Sequence, residues 1–509
     1  MGLGRTAAVC LVGLTGHIVE VEAHLAASLP GFTLVGLPDA SLAEARDRVR
    51  AAMTSSGIAW PQRRITVNLS PASLPKAGSG FDLAIALAVL AGAGACDPTL
   101  GGAVHIGELG LDGRLRPVRG VLPAVVAAVA AGLPRVVVPV ANAAEAALVP
   151  GADVRAATHL AEVAGWYGAD LEVPDLPPVA AEGVATATRT VPDLADVLGQ
   201  RQARWALEVA AAGGHHMLMV GPPGAGKTML AARLPGLLPD LAEPDAVEVT
   251  AVHSVAGTFR PSDGLLRRPP FEDPHHTATP ASVIGGGSGL PRPGAASRAH
   301  RGVLFMDEAP EFSSQVLQTL RQPLESGELV IHRAAGTARY PARFQLLLAA
   351  NPCPCGRAVG KGLDCSCTPL ARRRYFSRLS GPLLDRVDLQ VEVLPVTRAD
   401  RASATAPEST AVVAARVAQA RNRARARLEG TPWTTNAEVP GSWLRRHTPL
   451  GSAHRDLERA LDTGSLSLRG VDRVLRVAWT LADLAGASAP DAEHVGRALL
   501  LRTRGRSVR

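Results

Sequence analysis

The sequence predicts an α/β protein in three parts: a mixed α/β domain, a second α/β core and a helical C-terminal segment. Three observations predict it. Gly221-Pro222-Pro223-Gly224-Ala225-Gly226-Lys227-Thr228 fits G-x-x-x-x-G-K-[ST], with an apolar run at 216–220 before it and a helical pattern from 229 after it. A second apolar run, Val303-Leu304-Phe305-Met306, ends in Asp307-Glu308. Around this core, strand and helix patterns alternate up to residue 170, whereas the chain after 401 is helical in pattern.

In chain order, residues 1–170 carry strand patterns at 7–14, 17–23, 32–35, 64–69 and 135–140, and helical patterns at 41–55, 83–93 and 121–131. A stretch rich in Pro, Ala and Glu marks 171–191 as a linker. The core is expected over 192–400 and a helical lid over 401–509. A chain of 509 residues holds roughly two to four domains. The formal charge of +7 permits contact with nucleic acid without demanding it, because the excess is spread along the chain. Apolar runs near 83–95 and 121–133 fall short of the roughly 18 residues a membrane-crossing helix needs. Arg5, followed by a short apolar stretch broken by Gly13, Gly16, His17 and Glu20, makes a poor secretory signal. A cytoplasmic protein with no membrane partner is expected.

The core motifs carry the chemistry. Glycines in the loop let backbone N–H groups wrap a β-phosphate, Lys227 reaches the β- and γ-phosphates, and the Thr228 hydroxyl can ligate Mg²⁺. Acids at the carboxyl end of a buried strand lie where open α/β sheets bind nucleotides. Asp307 is expected to hold Mg²⁺, and Glu308 to orient and deprotonate the attacking water. A third strand at 344–350 ends in Asn351, which can reach the γ-phosphate and that water. Arg386, within Gly381-Pro382-Leu383-Leu384-Asp385-Arg386-Val387-Asp388, reads as a finger supplied to a neighbouring subunit, the alternative being a surface ion pair with Asp385 or Asp388. The cofactors implied are ATP and Mg²⁺.

Four of the six cysteines, Cys353, Cys355, Cys365 and Cys367, form two C-x-C pairs joined by a loop carrying Gly356, Gly360 and Gly362. Four thiolates can close a tetrahedral Zn²⁺ site that would stiffen a subunit interface. Reduced, unliganded thiols come next, and disulfides last in a cytoplasmic protein.

These motifs, with Ala349-Ala350-Asn351-Pro352-Cys353-Pro354-Cys355-Gly356, resemble the Mg-chelatase-like AAA+ ATPases of the YifB/ComM family. Phe271-Glu272-Asp273-Pro274-His275-His276-Thr277 matches that family's F-R-x-P-H-H-[TS], with Glu272 in place of a basic residue, and Ala295 replaces a usual Glu. Adjacent histidines in a loop are read as solvent-facing or hydrogen-bonded rather than as metal ligands. The resemblance implies a homo-oligomeric ring, drawn as a hexamer, with ATP between subunits. It makes the loops around 253–259 and 267–289 insertions toward a pore or partner, and Gly285-Gly286-Gly287 a mobile loop. It also implies single-stranded or branched DNA as the substrate, through helicase or branch-migration work in competence and recombination. The alternative is an ATP-driven remodeller of a protein partner, like the magnesium chelatase ATPase subunit.

Two further resemblances concern the ends. Pro75-Lys76-Ala77-Gly78-Ser79-Gly80-Phe81-Asp82, with 106–115 and 119–122, resembles the proteolytic domain of Lon, a ribosomal S5-type fold. The nucleophile falls on Gly80 and the base on Ala124, and a Ser–Lys dyad needs both a hydroxyl and an amine, so the domain is expected to be peptidase-dead. Lys76, one of only three lysines with Lys227 and Lys361, reads as a solvent-facing loop residue. Ser467 to Ala478 follows the family's lid pattern and makes Arg469 the second sensor, bridging lid and γ-phosphate, with Arg473 and Arg476 as fallbacks and Trp479 as a packing position. In the helical pattern 412–428, Arg416, Arg423 and Arg427 share one face, read as solvated rather than DNA-contacting.

Overall fold

Alternating burial along two long strands starts the first sheet. β1 (Gly2–Val12) and β2 (Thr15–Ala26) pair antiparallel from Gly2 opposite Leu25 to Val12 opposite Thr15, closed by a turn in which Gly13 has φ 67°. In the computed structural model the described residues are 2–76, 78–177, 179, 192–287, 291–333, 336–358, 364–379, 381–397, 407–448, 453–464 and 466–503. β3 (Gly31–Val35), β4 (Arg64–Ser70), β5 (Val104–His105), β8 (Arg135–Pro139) and β9 (Asp153–Ala157) complete a mixed sheet in the order β3-β4-β2-β1-β5-β8-β9, while β6 (Glu108–Leu109) and β7 (Leu115–Arg116) pair separately. The helix Asp82–Ala93 is buried nearly all round and lies on β1 and β2. Its approach is so close that a Cβ at Gly4 would stand 2.2 Å from the Ala88 carbonyl oxygen.

Lys76 corrects the sequence expectation. Its side chain is fully buried, not solvent-facing, and its ammonium donates to the Pro71 carbonyl. Burial lowers its pKa. A long aliphatic stem packs like a hydrophobe when the charged tip finds a carbonyl.

The second sheet is parallel throughout, in the order β11 (Phe271–Glu272), β14 (Val303–Met306), β17 (Gln345–Ala350), β10 (Met217–Val220), β18 (Leu389–Glu392). β10, β14 and β17 are buried at every position, as expected for parallel strands covered on both faces. Two small antiparallel pairs are inserted. β12 (Gly285–Gly286) pairs with β13 (Arg292–Pro293), and β15 (Glu328–Arg333) pairs with β16 (Gly336–Pro341). Gly285 and Gly286 therefore belong to a ladder, where a mobile loop was expected. A Cβ at Gly285 would sit 2.3 Å from the Arg292 carbonyl oxygen. His253 likewise lies in the helix Glu243–Ala256, not in a loop.

That helix joins the two sheets. It packs against the helix Val121–Ala130, and Ala251 enters the apolar cluster of Val121, Leu122 and Ala124. The Ser254 hydroxyl donates to Glu145, whose carboxyl is pushed up by burial. Ile331, Ala338 and Tyr340 on the inner face of the β15–β16 pair pack on Leu14 and Val255.

Among the described residues beyond 407 there are helices and no strand, chiefly Thr410–Arg427, Gly441–His447, Ala453–Asp462, Leu468–Ala485 and Ala492–Thr503. Four arginines of the first of these are hydrogen-bonded to other elements, although Arg423 and Arg425 stay exposed, so the face read as solvated is solvated only in part. Arg416 bridges Glu208 (2.7 Å) and Glu408 (2.6 Å), and Arg421 donates to the Ala211 carbonyl (2.8 Å). Arg423 donates to the Asp483 carbonyl (2.6 Å), and Arg427 binds the Asp483 carboxylate (2.8 Å) while lying 4.2 Å over the Trp479 ring. Arg421, Arg423 and Arg427 thereby supply donors to buried acceptors on other elements.

Asp388, buried just before β18, ties the sheet to the lid. His215 Nδ1 lies 3.0 Å from its carboxylate, His215 Nε2 lies 2.7 Å from Thr480 Oγ1, and Asn436 donates to the same hydroxyl at 3.0 Å. Burial alone would raise the Asp388 pKa, but the His215 hydrogen bond and the charges of His215 and Arg476 hold it down to about 2. A depressed carboxyl contributes stability that is complete above its unfolded value, roughly pH 4, and is lost as pH falls toward about 2. Asp388→Asn is expected to cost about 3 kcal/mol at neutral pH and to flatten that acid limb, measured by urea denaturation at pH 7 and pH 3. An acid limb as steep as that of the wild type would show that another group is responsible.

Candidate nucleotide site

The register of the parallel sheet assembles the site. Val220 is opposite Ala350, so Gly221 and Asn351 leave neighbouring strands side by side. Met306 is opposite Leu348, which brings Asp307 to the same edge. Gly221 passes so close to β18 that a Cβ there would stand 2.1 Å from the Val393 carbonyl oxygen. Gly224 and Gly226 take φ values of 76° and 89°, a region that favours glycine, and the helix Lys227–Ala231 starts directly after them.

The Lys227 ammonium, 8% exposed, donates to the carbonyls of Gly221 (2.6 Å) and Pro222 (3.0 Å) and to Asn351 Oδ1 (3.1 Å). Burial lowers its pKa, against the charges of Asp307 and Glu308. Thr228 Oγ1 donates to Asp307 Oδ2 at 2.6 Å. Hydroxyl and carboxylate oxygens together are the donor set that Mg²⁺ prefers, so Thr228 and Asp307 fit as its protein ligands. Such an ion would neutralise charge on a bound triphosphate. Pro222, Pro223 and Ala225 complete the loop, with Gln200 donating to the Ala225 carbonyl at 3.0 Å.

Glu308 has left-handed backbone, φ 49°, pinned by its own N–H on Asp307 Oδ1 (2.9 Å) and by its carbonyl, which accepts from the Glu311 N–H (2.7 Å). Its carboxylate, 47% exposed, stands 3.1 Å from His276 Nδ1. His275 instead faces the Thr277 hydroxyl at 2.8 Å. The His-His pair is thus hydrogen-bonded or charge-paired, and the acid that His276 meets lies 32 positions along the chain, beyond the reach of local pattern. Glu272, unusual at its position, pairs with Arg298 at 2.7 Å.

Arg386 and Arg469 lie elsewhere. The Asp388 N–H donates to the His216 carbonyl at the amino end of β10, while the phosphate loop leaves the carboxyl end. Arg386, two residues earlier, pairs with Glu325; burial lowers its pKa, and the nearby charges of Arg321 and Arg469 lower it further. Arg469 is exposed on the first turn of Leu468–Ala485, one turn before Arg473, whose Nε lies 3.5 Å from Asp388. Arg476 donates to the Val439 carbonyl at 2.8 Å. Among the described residues, Arg473 and Arg476 make their contacts with Asp388 and Val439 and none with the loop Gly221–Thr228. Trp479 is a packing residue, 4% exposed, with its indole N–H on Thr448 at 2.9 Å.

The four Sγ atoms of Cys353, Cys355, Cys365 and Cys367 lie within 4.8 Å of one another, with Cys353 3.3 Å from Cys355 and 3.5 Å from Cys365. A tetrahedral zinc with bonds of about 2.3 Å spaces its sulfurs about 3.8 Å apart, so the set fits. The Arg357 N–H and the neighbouring Cys353 thiol hold the Cys355 thiol down to about 6. The cluster follows Asn351 directly, and a Cβ at Gly356 would stand 2.6 Å from Pro223 Cδ. It therefore braces the phosphate loop of its own chain. Gly360, Lys361 and Gly362 lie outside the described residues.

A parallel sheet carrying a phosphate loop, an Asp-Glu strand end, a polar strand end beside it and a helical lid defines an AAA+ ATPase. The family described as magnesium chelatase, subunit ChlI, matches residues 193–401; related descriptions match 21–142 (subunit ChlI of Mg-chelatase) and 407–502 (subunit ChlI, C-terminal). An uncharacterised protein of Mycobacterium tuberculosis (strain ATCC 25618 / H37Rv) is 53% identical over 99% of both chains. The uncharacterised protein YifB of Salmonella typhimurium and the competence protein ComM of Haemophilus influenzae are each 40% identical, over 96% of this chain and 95% of theirs. The chain belongs to the Mg-chelatase-like YifB/ComM family of AAA+ ATPases. No helix among the described residues is long and apolar enough to cross a membrane.

Lys227→Ala is expected to weaken ATP binding at least about tenfold, since a charge-assisted contact is worth roughly 1.5–3 kcal/mol. Titration with a fluorescent ATP analogue measures it, and an unchanged Kd would remove Lys227 from the binding site.

Proposed function

We propose that this chain is the subunit of a ring, drawn as a hexamer, that couples ATP hydrolysis to movement along single-stranded or branched DNA, in the manner of a branch-migration helicase of competence and recombination. The observation that carries it is the separation of Arg386 and Arg469 from the phosphate loop of their own chain. A site with Lys227, Thr228, Asp307, Glu308 and Asn351 at one end of the sheet, and the arginines at the other, is completed by a neighbour. There Glu308 takes a proton from the attacking water, Asn351 positions it, and the neighbour's arginines face the γ-phosphate. The name of the Haemophilus relative, a competence protein, supports DNA as the substrate. So do exposed His332, Arg333 and Arg339 on the β15–β16 pair and Arg292 on β13, four basic groups on inserted segments. The cytoplasm is the compartment this work requires.

Residues 1–170 are read as a Lon-like domain without peptidase activity. Gly80 has no side chain, Ala124 is buried, and the Ser79 hydroxyl donates to Glu108, leaving no amine to activate it.

Turnover measured with single-stranded, duplex and branched DNA tests the substrate. At least one is expected to stimulate it, with an effect that falls steeply as salt rises. Unchanged rates with all three would favour a protein partner, as the chelatase relationship suggests. Mixing tests the ring. Arg386→Ala and Lys227→Ala should each be nearly inactive, arginine fingers being worth roughly 10³ to 10⁵ in rate. Once energy transfer between labelled chains shows subunit exchange, the mixture should regain activity, because an intact Lys227 site then meets an intact Arg386. No recovery would mean that Arg386 does not act across the interface.

The cysteine cluster is proposed to hold one Zn²⁺ per chain. Elemental analysis of metal-replete protein should find about one equivalent. A trace amount with four freely titrating thiols would rule it out.

A further inference from the structure

We propose that the four-cysteine cluster is an effector site for the nucleotide site: zinc bound there tightens ATP binding, and ATP tightens zinc binding. The proposal rests on the reading that the cluster holds zinc. Three observations support it. First, the cluster meets the phosphate loop on two sides of Lys227. On one side, Asn351 accepts from the Lys227 ammonium at 3.1 Å, and the buried Pro352 alone separates Asn351 from the buried Cys353. On the other, Lys227 donates to the Pro222 carbonyl at 3.0 Å, and the next residue, Pro223, lies against Gly356. Gly356 takes φ 75°, its N–H donates to the Cys353 carbonyl at 3.0 Å, and a Cβ on it would stand 2.6 Å from Pro223 Cδ. The turn Cys353–Gly356 is thus wedged between the two partners of the lysine.

Second, the other pair of cysteines leads back to the same residue. The Cys367 carbonyl accepts from Arg372 Nε at 3.3 Å on the helix Pro369–Ser377, which Thr368 caps. Tyr375 of that helix is buried, and the Asn351 N–H faces its hydroxyl. Both halves of the cluster therefore bear on Asn351. Third, sulfur joins the halves: Cys353 and Cys355 each face Cys365, at 3.5 Å and 3.7 Å. Thiols are weak donors and weak acceptors, whereas four thiolates on one zinc bind strongly and only in the closed arrangement. The two states are the turn seated on Pro223 and the turn lifted from it. Zinc binds the first, so it holds Pro223 and Asn351 in place before the nucleotide arrives. A loop ordered in advance costs ATP less to bind. Linkage then requires ATP to raise zinc affinity by the same factor.

The full chain, loaded with zinc or stripped of it and then freed of chelator, is titrated with a fluorescent ATP analogue in excess Mg²⁺. Stripping is expected to raise the analogue's Kd roughly fivefold or more. The converse measurement uses zinc-loaded wild-type protein. Competition with a colorimetric zinc chelator gives the zinc Kd, which a saturating non-hydrolysable ATP analogue should lower by the same factor. A zinc that merely supported the fold would not respond to nucleotide, so this arm separates coupling from stability. In Lys227→Ala the analogue should leave the zinc Kd where it was. Gly356→Ala, whose methyl group would meet the Pro223 ring, should keep zinc and lose most of the coupling; full coupling in that variant would overturn the route through Pro223. Equal nucleotide Kd values with and without zinc, or a zinc Kd that the analogue does not move, overturn the proposal. Metal-replete protein without zinc overturns the reading of the cluster and the coupling with it. One equivalent of zinc with unresponsive Kd values removes the coupling alone.

Discussion

The alignment of three buried parallel strands is the constraint on which the rest depends. β10, β14 and β17 are buried at every position, so their register is set by packing on both faces and brings their carboxyl ends to one edge of the sheet. Only then do Gly221, Asp307 and Asn351 share one edge. Lys227 shows how tightly that edge is specified. Its ammonium is taken from water and satisfied by two carbonyls of its own loop and by Asn351 from the next strand. A shift of one residue in β17 would turn the strand over and remove the Asn351 partner. The cysteine cluster, seated between Asn351 and Pro223, braces the same junction.

The opposite end of the sheet has a different task. Asp388, His215, Thr480 and Asn436 form a buried polar chain that fixes the lid helix to the amino ends of β10 and β18. Such a chain is costly to break, because each member would be left in a low-dielectric setting without its partner. On the outside of this joint, Arg386 and Arg469 stand near each other and away from the phosphate loop of their chain. The sheet thus stands between these two arginines and the phosphate loop, and the proposed ring, assembled head to tail, rests on that separation.

The first domain is coupled to this core through chemistry that neither part shows alone. Glu145 is buried in the first domain and takes the Ser254 hydroxyl from the core; Leu14 and Val255 share the apolar face of the β15–β16 pair. The helix bearing Ser254 also bears His253, which reaches the Arg298 carbonyl beside the Glu272 pair.

Local pattern determined much of this protein. The loop Gly221–Thr228 needs only glycines at left-handed positions and a lysine at a fixed offset, so its eight residues announce it. The strands of the core were legible because a buried parallel strand must be a short apolar run, and the clustering of four cysteines was legible because C-x-C spacing is local. Tertiary structure decided what spacing cannot encode: which charge meets which. Lys76 is buried because a carbonyl waits for it, and Arg416, Arg421 and Arg427 are paired because Glu208, Ala211 and Asp483 come from distant parts of the chain. Arg469 sits beside Arg386 and not beside Lys227 because the lid is fixed to the amino end of the sheet. His276 meets Glu308 across a sheet edge, a pairing of side chains that one-dimensional periodicity does not carry.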